Sequence, residues 1–207
     1  MLPRIHCITD LSSTGARTLA VLAEVCRAGV DAVQVRAKHL TDRELLALTR
    51  DVIAAVRPLG ATVLVNDRLD VALAAGADGV HLGLDDLPVA AVRALAPPGL
   101  LVGATCRSAA HAVAARDAGA DYAGVGPVHP STTKAGLPAP VGLAALGAAA
   151  AVLPAIGIGG LDAGRVAEVM ATGAYGVAVA AALSRAEDPG RAARDLVAAV
   201  LGTPAHR

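Results

Sequence analysis

Gln34, Arg36 and Lys38 occupy alternate positions at the end of the apolar run 31–36 (DAVQVR). In a strand, that spacing aims an amide and two cations toward one face. The pair of cations reads either as a solvated surface feature or as an anion site, because an arginine ending a buried strand needs a counter-charge once desolvated. Asp67 follows Asn66 at the end of a second apolar run, and Asp86 closes the stretch 81–86 (HLGLDD) after a third. Carboxylates on neighbouring strand ends can share a hard cation such as Mg2+ with substrate phosphates. Asp67 and Asp86 form the natural pair, with Asp70 and Asp85 as competitors. The rival reading is that each aspartate caps the helix after it, and both Asp85 and Asp86 precede a helix expected to begin near Pro88. Further along, 126–134 (GPVHPSTTK) gathers Ser131, Thr132, Thr133 and Lys134 on one loop, suited to handling an anion or simply polar. The stretch 157–160 (GIGG) would let backbone N–H groups approach a phosphate, and the small Ala180 and Ala181 leave room beside it.

These residues need a scaffold that brings strand ends together. Apolar runs at 5–9, 31–36, 62–66, 79–82, 100–103, 122–126, 154–158 and 175–180 alternate with helix-like stretches near 17–28, 41–57, 68–75, 88–95, 108–117, 141–151, 162–171 and 189–201. Eight near-continuously apolar strands, each followed by a helix, predict a parallel sheet covered by helices. At about 26 residues per unit, 207 residues suffice for a single α/β domain, a (β/α)8 TIM barrel over 1–207. A recurring phrase supports this: AGVDAVQV (28–35), AGADGVHL (75–82), AGADYAGV (118–125) and TGAYGVAV (172–179). Each carries a glycine where a helix needs a left-handed C-terminal residue before the next strand. An open doubly wound sheet would want a glycine-rich phosphate turn after the first strand, and 11–15 (LSSTG) is a poor one.

Composition removes several classes of function. Eighteen basic and 18 acidic residues balance, and the chain is 55% hydrophobic and 17% charged. It can bury a large core, and it lacks the broad basic footprint of a nucleic-acid binder. With two tyrosines, no Trp and no Phe, it has no base-stacking platform either. Cys7, Cys26 and Cys106 are odd in number and lack metal-motif spacing, as expected of reduced thiols in a cytoplasmic protein. Arg4, His6 and Asp10 interrupt the apolar start that a signal peptide would need. The uncharged stretch 135–161 contains Pro138, Pro140 and Pro154, so it reads as loop, short helix and buried strand rather than a membrane span.

The motifs in order resemble the thiamine phosphate synthase family over nearly the whole chain. They are ITD (8–10), QVRAK (34–38), NDR (66–68), ADGVHLGLDDLP (77–88), DYAGVGPVHPSTTK (121–134), IGIGG (156–160) and GVAVAAALSRAEDP (176–189). The resemblance implies a Mg2+-dependent transferase acting on small molecules. Such an enzyme couples an aminopyrimidine methyl diphosphate to a thiazole phosphate, releasing pyrophosphate. It implies that Gln34, Val35, Arg36, Ala37, Lys38, Asn66, Thr105 and Lys134 hold the pyrimidine diphosphate, with Arg36, Lys38 and Lys134 acting on the leaving group. It assigns Mg2+ to Asp67 and Asp86, and the thiazole phosphate to Ser131, Thr132, Thr133, Gly160, Ala180 and Ala181. The chain departs from the family pattern at Leu84 (usually Gln), Ala181 (commonly Ser), Thr105 (usually Ser), and His6 and His129 (usually aromatic). Two other readings compete. One is a thiazole tautomerase of the same fold, whose loop histidine would fall at Pro127, two positions before His129. The other is a non-catalytic paralogue that binds phosphate ligands.

Overall fold

Short β-branched runs, each followed by a stretch of helical length, build eight parallel strands that close on themselves. In order they are β1 (Ile5–Ile8), β2 (Ala32–Val35), β3 (Thr62–Asn66), β4 (Gly79–Leu82), β5 (Leu101–Cys106), β6 (Tyr122–Val125), β7 (Ala155–Ile158) and β8 (Gly176–Val179), with β8 pairing β1. The computed structural model describes residues 1–9, 18–131 and 136–202. Outside the barrel lie α1 (Thr18–Arg27), α2 (Asp42–Val56), α3 (Leu69–Ala75), α4 (Val89–Leu95), α5 (Ala109–Asp117), α6 (Gly142–Ala150), α7 (Ala163–Met170) and α9 (Pro189–Leu201). A four-residue helix, α8 (Ala181–Ser184), and a 3-10 turn (Arg57–Leu59) complete the described elements. The (β/α)8 barrel expected from the sequence is the observed fold, and the uncharged stretch is α6 followed by β7. No helix among the described residues is long and apolar enough to cross a membrane.

The period-two alternation of each strand divides the core into two layers. Val33 and Val35, Val63 and Val65, and Val80 and Leu82 face the helices in one large cluster. Ile8, Leu64, Tyr122, Ile156 and Ala178 fill the barrel interior. This interior is a packed plug, as in other barrels of this kind, so the open space lies above it at the strand C-termini.

The repeated phrase seals the opposite end. Its glycines, Gly29, Gly76, Gly119 and Gly173, have φ of 108°, 70°, 94° and 86°, the left-handed turn inferred from the sequence. The aspartate two residues on ties each new strand to its predecessor. Asp31 Oδ1 accepts the Ile5 N–H at 2.7 Å, Asp78 Oδ2 accepts the Val63 N–H at 2.7 Å, and Asp121 Oδ2 accepts the Val102 N–H at 2.7 Å. Arg57 and Arg93 pair with Asp78 and Asp121. In the fourth copy Tyr175 stands in the aspartate's place, and its hydroxyl donates to the Leu2 carbonyl at 2.6 Å. The far end is thereby fixed, and the chemistry-bearing ends of the strands are held in register.

Candidate active site

A cavity of about 820 Å3 opens at the C-terminal ends of the strands. A second, of about 410 Å3, lies at the sealed end between Arg4, Leu153 and Tyr175, away from the clustered polar residues. The larger one is lined by Gln34, Arg36, Lys38, Asn66, Asp67 and Asp86 on one side. Thr105, Ser131, Gly160, Ala180 and Ala181 contribute to the rest of its wall. Val35 and Ala37 belong to the outer apolar cluster, so only their backbone groups are available to a ligand here. Thr132, Thr133 and Lys134 lie outside the described residues.

The three alternate residues at and beyond the end of β2, Gln34, Arg36 and Lys38, do face one space, as their spacing predicts. Gln34 is buried in the wall, Arg36 is half-buried, and Lys38 is exposed at the rim. Buried Thr9 holds this stretch: its hydroxyl donates to the Arg36 carbonyl at 2.9 Å and accepts the Arg36 N–H at 2.7 Å.

The carboxylates meet on the next two strand ends. Asp67 has φ of 66°, the one positive φ on a non-glycine among the described residues. Its N–H donates to the His81 carbonyl at 2.8 Å, which ties the end of β3 to β4. Asp67 Oδ2 lies 2.9 Å from Lys38 Nζ. Burial pushes the Asp67 carboxyl up, but hydrogen bonds with Asp86 and Lys38 outweigh it and hold the group below the ordinary value. Asp86 moves the other way, raised first by burial and then by sharing a hydrogen bond with Asp67. Asp86 also accepts the Gly83 N–H at 2.6 Å.

Helix capping does not account for either carboxylate. The α4 N-cap is Pro88 and the α3 N-cap is Arg68, both without a side-chain cap. Asp70 is spent in an exposed ion pair with Arg68 and does not reach the cavity, whereas Asp85 lines it.

Across the barrel, Gly160 has φ of 66°, and a Cβ there would lie 2.9 Å from His129 Cβ. Close packing against the loop after β6 therefore requires glycine at this position. Ala180, the N-cap of the short α8, and Ala181, its first residue, line the same cavity. Arg165 and Arg107 stand on this side as well. Arg107 donates to the Gly126 carbonyl at 3.2 Å and to the Ala139 carbonyl at 2.8 Å, joining the two ends of the loop after β6.

His129 turns away from the cavity. Its Nε2 lies 3.0 Å from Glu168 Oε1 on α7, without hydrogen-bond alignment.

Sequence reading named Thr105 but missed the partners it meets at the floor of the site, His81 and Tyr122. His81 Nδ1 lies 3.0 Å from the Tyr122 hydroxyl, and His81 Nε2 lies 3.1 Å from Thr105 Oγ1. The His81 and Tyr122 rings stack with centroids 5.5 Å apart, and His6 meets Tyr122 edge-on at 5.4 Å. Burial, and then the cost of charging one imidazole beside that of His6, pushes the His81 imidazole down to about 4 against a smaller upward pull from Asp67. Burial also lowers His6 and raises the Tyr122 phenol. The chain HLG at 81–83 carried the signal for His81, but its partners sit on β5 and β6 and only strand register joins them.

The chain matches known proteins over almost its full length. Residues 5–183 fit the family model described as thiamine monophosphate synthase. A thiamine-phosphate synthase of Salinispora arenicola is 52% identical over 205 residues, covering 96% of this chain and 98% of that protein. One from Methanoculleus marisnigri is 45% identical, with 93% of this chain and 92% of that protein covered. The solved thiamine phosphate pyrophosphorylase of Pyrococcus furiosus superposes with a TM-score of 0.87 at 33% identity, covering 96% of each chain. With a family match over residues 5–183, relatives matched over more than nine-tenths of the chain and a common barrel, this chain belongs to the thiamine monophosphate synthase family.

Proposed function

We propose that this chain forms thiamine phosphate by joining an aminopyrimidine methyl diphosphate to a thiazole phosphate with loss of pyrophosphate. The observation that carries the reading is the convergence of Arg36, Lys38, Asp67 and Asp86 on one cavity wall, in a chain of this family. Cations from β2 and a carboxylate pair from β3 and β4 suit a diphosphate leaving group with a divalent cation.

The donor set fits Mg2+. Asp67 and Asp86 contact one another although both are carboxyls, and the raised Asp86 and lowered Asp67 are what two such groups show when one cation, Lys38, partly offsets them. Mg2+ asks of the protein one or two carboxylates and takes phosphate oxygens for the rest. Bound there, it would neutralise charge on the departing diphosphate.

The protein's own part is to position and to neutralise. Arg36 and Lys38 face the diphosphate and offset the charge that grows on its bridging oxygen as the C–O bond breaks. Lys134 joins them in this reading, on the strength of the resemblance. The electron-rich aminopyrimidine stabilises the methylene cation left behind, and the thiazole nitrogen captures it. Gln34, Asn66 and Thr105 orient the pyrimidine. Ser131, Thr132, Thr133, Gly160 and the first turn of α8 hold the thiazole phosphate and bring its nitrogen close. Heterolysis followed by capture needs no protein base, which suits a cavity that His129 does not enter.

The test is an assay of purified protein with both phosphorylated substrates, following pyrophosphate and thiamine phosphate together. Product should appear with Mg2+, stop in excess chelator and return on adding Mg2+ back. Turnover that persists in chelator overturns the metal assignment. Failure to release pyrophosphate with both substrates and Mg2+ present overturns the reaction.

A further inference from the structure

The hydrogen-bonded chain Tyr122–His81–Thr105 runs from the buried interior to the cavity and has a direction. Tyr122 is 1% exposed in the barrel interior, and among the described residues its hydroxyl has one hydrogen-bond partner, His81 Nδ1 at 3.0 Å. The imidazole's other nitrogen, Nε2, lies 3.1 Å from Thr105 Oγ1. Thr105 and His81 both reach the cavity, whereas Tyr122 does not.

Two arrangements of protons satisfy the distances. If Nδ1 carried the imidazole hydrogen, it would donate to the Tyr122 oxygen. The phenolic hydrogen would then be buried without an acceptor, and Thr105 would donate its own proton to Nε2. If the phenol donates to Nδ1, the imidazole hydrogen sits on Nε2 and donates to Thr105 Oγ1. Every buried donor is then used, and the Thr105 proton is left over for the cavity. A buried donor without a partner loses its hydration with nothing in return, so the second arrangement prevails. Burial favours the neutral forms this requires, lowering the imidazole and raising the phenol.

We infer that Tyr122 is a positioning residue that fixes the His81 tautomer and so makes Thr105 a hydrogen-bond donor into the cavity, where it selects a heterocycle presenting an acceptor nitrogen. Under the proposed reaction that heterocycle is the pyrimidine, and this last step rests on the synthase reading. The tautomer itself does not, because it follows from the buried partners alone.

The proton can be located directly. Protein labelled with 15N at histidine, without ligand and near neutral pH, is expected to show His81 with Nε2 protonated and Nδ1 bare. Protonation at Nδ1, or at both nitrogens, overturns the inference whether or not the enzyme turns over.

Kinetics supply the second arm. Tyr122→Phe is expected to raise KM for the pyrimidine diphosphate by up to about tenfold, the scale of one neutral hydrogen bond. KM for the thiazole phosphate should hold. Thr105→Val should give the same pattern, Thr105→Ser should restore it, and adding Tyr122→Phe to Thr105→Val should cost little more, because both remove one donor. Fully additive losses, or equal effects on both substrates, would make Tyr122 mere packing.

Discussion

Lys38 Nζ lies 2.9 Å from Asp67 Oδ2, so the ammonium at the end of β2 already neutralises the carboxylate at the end of β3. A diphosphate entering this end of the cavity would find the cation in place and compete for it. The pair is a surface one, since the lysine side chain is 57% exposed, and such pairs add at most about 1 kcal/mol to stability. Lys38→Met should therefore leave the urea midpoint almost unchanged while lowering kcat/KM for the pyrimidine diphosphate by at least about tenfold. A large loss of stability with normal kinetics would make the contact structural.

Asp67 offers a cleaner separation of fold from chemistry. Its φ of 66° lies in the left-handed region, which asparagine tolerates far better than alanine. Asp67→Asn and Asp67→Ala both remove the carboxylate, so both should lower activity by about a hundredfold or more, the scale of losing a charge-stabilising group at the reacting centre. Only the alanine variant should lose a further increment of stability, about 1 kcal/mol. Denaturant curves on the two variants side by side check this, and equal stabilities would mean the turn relaxes.

The buried histidines set how the fold responds to acid. His6 and His81 are held neutral in the native state, with His81 down to about 4 and His6 lowered from 6.5, chiefly by burial. An unfolded histidine takes up its proton near pH 6.5. Below that value the unfolded chain binds protons the native one does not, so their contribution is complete above about 6.5 and is lost as pH falls toward 4. For His81 the loss between about pH 7 and 5 is about 2 kcal/mol. His6→Phe should flatten the pH dependence of the urea midpoint, since the ring packs edge-on against Tyr122 and needs no charge. An unchanged slope would mean His6 ionises without cost.

The barrel and most of the cavity wall could be read from local pattern. Eight apolar runs gave the strands, and the repeated glycines took the left-handed turns expected of them. Gln34, Arg36 and Lys38 followed from alternation along one strand, a short-range property. The aspartates of the repeat were harder. Asp31, Asp78 and Asp121 look like ordinary turn residues, and their bonds to the preceding strand depend on pairing that no single segment encodes. The links from Thr105 to His81 and Tyr122 at the floor of the site were hidden for the same reason, since the three come from three strands and meet through register. Tyr122 could be recognised only as a core residue.

Two glycines make that floor possible, and they supply the sharpest test of its packing. Gly103 pairs with Tyr122 across β5 and β6, and Gly124 pairs with Thr105. A Cβ at Gly103 would collide with the Tyr122 ring at Cζ, while one at Gly124 would come within 2.6 Å of His81 Cε1. Neither position has a left-handed backbone, so the constraint is space alone. Gly60 supplies the opposite case, with φ of 85° and nothing within 4 Å of an added Cβ. Gly60→Ala should cost about 1 kcal/mol from the backbone and leave kinetics untouched. Gly103→Ala and Gly124→Ala should each cost about 1–3 kcal/mol by overpacking. Because the displaced rings carry the link to Thr105, both should also raise KM for the pyrimidine diphosphate. Gly103→Ala with normal stability and normal KM would mean Tyr122 can move aside freely, and a residue free to move could not fix the His81 tautomer.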